Sequence, residues 1–139
     1  MPSGLSDISV HFPGGKRVDA AFGNFVVKTD QSLKDGGEES APTPFMLFLS
    51  SLASCAGIFV LGYCQSRGLD TSGITLRQTH EFVPDGPKGQ RLGKIGIEIT
   101  VPPEFPERHR EMLVRVAELC AVKKVIENPP DFIVETVIG

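Results

Sequence analysis

Hydrophobic positions alternate through the first thirty residues. Ile8, Val10 and Phe12 are separated by Ser9 and His11, the period of a half-buried strand. Pro13-Gly14-Gly15-Lys16 interrupts the pattern as a turn. Arg17 to Ala21 and Phe25 to Thr29 then read as two further strands, divided at Gly23-Asn24. Breaks this close together predict an antiparallel meander. Residues 30–43, DQSLKDGGEESAPT, are polar and form the longest loop-like stretch of the chain. Loops of that length in a small domain often carry function.

The pattern then changes abruptly. From Phe45 to Cys64 no charged residue occurs in 20 positions. Such a run is long enough to span a bilayer. Ser50, Ser51, Ser54, Gly57 and Gly62 dilute it, and no cluster of Lys or Arg flanks it closely. It reads instead as the buried central helix of a globule. Thr43 suits its N-cap, Pro44 its first position and Gly68 its end. A helix of about 24 residues would be about 36 Å long.

Alternation returns at Ile74–Val83 and again at Lys94–Val101, with residues 84–94 between them as a Pro/Gly-rich hairpin loop. Met112, Leu113, Val116, Leu119 and Cys120 recur at helical spacing within Glu107–Cys120. A short helical turn is expected over Val122–Glu127, and a last strand over Phe132–Ile138. The strands come in runs, which predicts an α+β fold built as one domain over residues 1–139. A 36 Å apolar helix exceeds what one 139-residue globule, with a radius of gyration of about 14 Å, easily covers. A homodimer in which the second subunit covers part of that helix follows.

Composition narrows the function. The 139 residues are 40% hydrophobic and 22% charged, which excludes general disorder. The net charge of -3 and the absence of Trp argue against nucleic acid as a partner. The first residues show no basic stretch followed by an apolar run, so a leader is not expected. With three cysteines, an odd number, the chain does not read as a disulfide scaffold, and the cytoplasm is the expected compartment. No Cys or His pairs have metal-ligand spacing, and no Gly-rich loop precedes a helix, so neither a metal nor a cofactor is expected.

The cysteines are then the candidate chemistry. Cys55 falls mid-helix beside Ser51 and Ser54, where it is either a packed thiol or a nucleophile. Cys64, nine positions on, faces roughly the opposite side of the helix and reads as core. Cys120 precedes the short helix at Val122, whose first amides, with Lys123 and Lys124, would favour a thiolate there. The alternative reading of Cys120 is one more core residue on the Met112/Val116/Leu119 stripe.

The element order resembles the OsmC/Ohr family, the osmotically inducible and organic hydroperoxide resistance proteins. The residues that carry the resemblance are PTPFMLFLSSLASCAG and, about 65 positions after its Cys, AELCAVKKVIENPP. The resemblance extends over nearly the whole chain. It implies antiparallel sheets around the long helix in an intertwined homodimer. It implies a thiol-dependent peroxidase for organic hydroperoxides, with Cys55 attacking, Cys120 resolving and Arg17 activating the thiolate. A dithiol, in relatives a lipoylated protein, would be the reductant. Phe45, Met46, Phe48 and Phe59 would line an apolar substrate pocket. Phe45 departs from the family pattern, because the residue after the helix-opening Pro is usually a glutamate that orients the arginine; Glu38 and Glu39 lie further back in the loop. The alternatives are a non-catalytic small-molecule binding protein and a cysteine redox sensor.

Overall fold

The computed structural model describes residues 7–139; the start of the stretch inspected for a leader, residues 1–6, lies outside them. The elements are β1 (Ser9–Gly14), β2 (Arg17–Phe22), β3 (Phe25–Thr29), α1 (Pro44–Ser66), β4 (Thr75–Asp85), β5 (Gly89–Thr100), α2 (Glu107–Ala117) and α3 (Ala121–Glu127). The order is the one the hydrophobic pattern predicts, without its last strand. Two compact units divide the chain, Met1–Ser51 and Leu52–Gly139.

In the first unit β1, β2 and β3 form an antiparallel sheet in sequence order. Val10 faces Ala20, and Ala20 faces Val27. Their neighbours His11, Asp19 and Lys28 are likewise aligned, and so share the opposite, polar face. A bulge lies between His11 and Gly14.

The loop that follows is tied down from within. Asp30 is buried. Its carboxylate accepts hydrogen bonds from the Gln31 amide (2.7 Å), the Ser40 amide (3.1 Å) and the Ser40 hydroxyl (2.5 Å). Its own amide donates to Pro42 O at 3.2 Å. The Ser40 hydroxyl, then the Gln31 amide, lower the Asp30 pKa from 3.8 to about 2 against the opposing effect of burial. Gly37 approaches Gln31 O so closely that a side chain there would collide with it.

α1 begins and ends where its caps predict. Thr43 Oγ1 accepts from the Met46 amide at 3.2 Å, with Pro44 in the first helical position. Gly68 takes a left-handed φ of 65°, and the Leu69 amide closes on Cys64 O at 2.9 Å. Within the single chain its buried residues form one stripe: Leu52, Ala56, Val60, Tyr63 and Cys64.

The second unit sets that stripe in its core. Val60, Tyr63 and Cys64 cluster with Phe105 and with Leu113 of α2, and Leu76 and Ile99 pack against them. Leu76 and Ile99 are cross-strand partners in the β4–β5 hairpin. That hairpin is longer than its alternation suggests. Pairing continues to Asp85 and Gly89, past a bulge at Glu81/Phe82, so the expected loop over 84–94 shrinks to residues 86–88. Backbone ladders there join residues exposed on both faces, and such residues leave no alternating signature.

Two further boundaries differ from the reading above. α2 stops at Ala117, and Cys120 has an extended ψ of 123° outside it. Phe132–Ile138 forms no strand. A strand exists only through a ladder partner, and this segment stands free in the single chain, with Val134 95% and Ile138 102% exposed.

Candidate functional site

The second unit brings two of the three cysteines together. Cys55 is half-buried on α1, one residue before the buried Ala56. Cys120 is buried and is the N-cap of α3. Its Sγ accepts from the Lys123 amide at 3.4 Å, which satisfies one of the donors a helix start leaves without partners. The amides of Val122 and Ala121, two more of these donors, act on the Cys55 sulfur, and the Val122 amide acts on Cys120 as well. The Cys120 thiol has two acceptors within reach, Leu52 O at 4.0 Å and the Cys55 sulfur.

These contacts set the two thiols apart. Burial pushes the Cys55 pKa up, but hydrogen bonds from the Val122 amide, the Cys120 thiol and the Ala121 amide outweigh it and leave it below the ordinary 9.0. Burial pushes Cys120 above 9.0; its interaction with the Cys55 sulfur and with the charge there reinforces the rise, and the Lys123 and Val122 amides only partly oppose it. The start of α3 therefore favours a thiolate on Cys55, where the sequence reading assigned that effect to Cys120. The reason is the balance at each sulfur: burial outweighs the amides at Cys120, whereas the amides and the Cys120 thiol outweigh burial at Cys55. Lys123 has its charge engaged, its Nζ lying 4.0 Å from Glu127. Cys64 is completely buried in the core, which pushes its thiol up.

The other expected residues fall as follows. Arg17 is exposed at the start of β2 in the first unit, and its Nε donates to Gly14 O at 3.3 Å. Among the described residues no carboxylate lies within 4.0 Å of it; the ion pairs there are Arg77–Glu98 and Lys123–Glu127. Glu39 is committed to its own loop, accepting from the Leu33 amide at 3.4 Å. Phe45 and Phe48 are exposed neighbours with ring centroids 6.0 Å apart. Met46 is exposed, and Phe59, one turn after Cys55, is half-buried. Among the described residues no group of three or more His, Cys, Asp or Glu could hold a metal ion.

Sequence reasoning missed Asp30, the residue that organises the loop before α1. A signal was present in retrospect: an Asp directly after a strand, followed by Gly36-Gly37 and Ser40, supplies an acceptor and the donors to fold around it.

Comparison with known proteins places the chain in a family. The model of the OsmC-like protein family matches residues 36–135, and the chain belongs to that family. It is similar in structure to a protein from Psychrobacter arcticus described as an osmotic stress induced and detoxification response protein, with 25% identity, a TM-score of 0.70 and 88% of each chain covered. An organic hydroperoxide resistance protein OsmC from Legionella pneumophila shares 19% identity and a TM-score of 0.60, over 87% of this chain and 88% of that one. A Vibrio cholerae structure, described as an organic hydroperoxide resistance protein with captopril bound in one of its active sites, shares 19% identity and a TM-score of 0.59, over 91% of this chain and 88% of that one. No curated protein matches the sequence.

Proposed function

We propose that the chain is a thiol-dependent peroxidase that reduces organic hydroperoxides through Cys55 and Cys120, working as a cytoplasmic homodimer of single-domain subunits. The observation that carries this reading is the contrast between the two thiols: the amides at the start of α3 and the Cys120 thiol lower the Cys55 pKa, whereas burial raises that of Cys120.

The chemistry follows from those two states. The Cys55 thiolate attacks one oxygen of the peroxide bond and becomes a sulfenic acid, and the O–O bond breaks. The departing alkoxide takes a proton and leaves as an alcohol. The Cys120 sulfur then attacks the Cys55 sulfenic acid, forming the disulfide and releasing water. A dithiol, a lipoylated protein in this reading, returns both cysteines to thiols as it is oxidised to its own disulfide. Arg17 is the cation this reading assigns to the thiolate and the departing oxygen, a role suited to a guanidinium that is always charged. Phe45, Met46, Phe48 and Phe59 supply apolar surface for the alkyl group of the substrate. The family's glutamate being replaced by Phe45, Arg17 works without a carboxylate to orient it.

Dithiol consumption driven by cumene hydroperoxide tests the proposal. Steady turnover in the wild type that is lost in Cys55→Ser supports it. Cys120→Ser should still be oxidised once but not turn over with the dithiol. One stoichiometric oxidation of the wild type without turnover would instead make the pair a sensor.

A further inference from the structure

A second candidate site lies wholly within the first unit, on the polar face of its sheet. A cavity of about 300 Å³ is lined by Pro13, Arg17, Asp19, Lys28, Thr29, Ser40 and Ala41. That volume is at the small end of small-molecule sites. Three features of the chain make it. The bulge between His11 and Gly14 displaces β1. The register of β2 and β3 sets Asp19 opposite Lys28. Asp30 folds the loop back and fixes Ser40.

The polar groups that remain free define the ligand. The Ser40 hydroxyl is spent on Asp30, at 2.5 Å. The Thr29 hydroxyl is spent on Val18 O, at 2.6 Å. The Arg17 Nε is spent on Gly14 O, which leaves its terminal nitrogens. Neither Arg17 nor Lys28 has a carboxylate within 4.0 Å among the described residues. The cavity therefore presents two unpaired cations as donors, one carboxylate, Asp19, and apolar surface from Pro13 and Ala41. With Asp19 counted, the lining carries one net positive charge.

We propose that this cavity binds a small organic carboxylate, held by the terminal guanidinium nitrogens of Arg17 and the ammonium of Lys28. A planar guanidinium matches a carboxylate with two parallel hydrogen bonds, which a lone ammonium cannot do. Asp19 sets the charge limit: it repels a second negative charge and so selects a monoanion over a dianion. Pro13 and Ala41 receive a short alkyl chain. The inference is argued within the first unit; it shares Arg17 with the redox reading, so a carboxylate held there and the Cys55 thiolate would compete for one guanidinium.

Butyrate is the probe, with butyramide as its neutral counterpart and inorganic phosphate, held at about pH 8.5 and so above its second pKa, as a dianion. Each is titrated at constant ionic strength into the full-length protein, followed by amide NMR shifts. Butyrate should give saturable shifts centred on Arg17, Lys28 and Ala41; butyramide and phosphate should not. Lys28→Gln and Arg17→Lys should each weaken butyrate several-fold while leaving the thermal melt unchanged. Asp19→Asn should admit phosphate. Equal binding of butyramide, shifts centred elsewhere, no saturation by about 50 mM, an affinity too weak to matter, or continued exclusion of phosphate by Asp19→Asn would each overturn the assignment. Peroxide turnover plays no part in the readout, so this test can fail without the redox proposal failing.

Discussion

Cys55, Cys64 and Cys120 are one side chain in three surroundings, and their chemistry follows from what faces the sulfur. Cys64 has only burial, which raises its pKa above 9.0. Its contribution to stability is thus present below pH 9.0 and is lost as pH rises through the higher folded-state value. Cys64→Ala should lower stability by about 1–2 kcal/mol and leave hydroperoxide reactivity untouched, as urea melts and peroxide titration will report. Cys55 has three donors, which lower its pKa. Its alkylation by iodoacetamide should therefore rise with pH along a curve centred below 9.0, whereas Cys120 and Cys64 should remain slow until above it; peptide mapping of the labelled protein separates the three. The sequence made Cys64 legible as core through its helical position opposite Cys55. The sequence could not reveal which of Cys55 and Cys120 would be the thiolate. That depends on where two backbone amides point, and amides carry no residue identity.

At the scale of elements, the start of α3 acts on α1. Cys120 already has an extended ψ of 123°, the conformation required before proline, and Ala121 is the first helical position. Ala121→Pro should consequently preserve α3 while removing one donor to Cys55. The expected result is an upward shift of the Cys55 alkylation curve with unchanged circular dichroism. The loop before α1 offers a second test. Asp30 has its pKa lowered from 3.8 to about 2, so its stabilising effect is present above pH 3.8 and is lost as pH falls through about 2. Asp30→Asn should flatten that acid limb of the stability curve. Elements with strong patterning were well marked in the sequence. Phe25–Thr29 has the bounds expected, and α1 begins at its predicted Pro44. The outer half of the β4–β5 hairpin was not legible, because its residues pair through the backbone while both faces meet solvent.

At the scale of the molecule, the single chain leaves a large apolar surface open. Val10 and Phe12 of β1, Phe45 and Met46 of α1, and Phe132–Val134 of the tail are all exposed. Large apolar side chains exposed in this number mark association surfaces. The proposed homodimer accounts for it, and gives the alternating segment Phe132–Ile138 a ladder partner that the single chain lacks. Sedimentation should report about twice 15.0 kDa, and deletion of residues 129–139 should shift the protein toward monomer. The central claim concerns the two cysteines, and the most direct measurement adds one equivalent of cumene hydroperoxide to the fully reduced protein and maps its peptides without reduction. The account predicts a Cys55–Cys120 disulfide with Cys64 still a free thiol. Cys55 unoxidised, or oxidised beyond the sulfenic acid with Cys120 still a thiol, would contradict it.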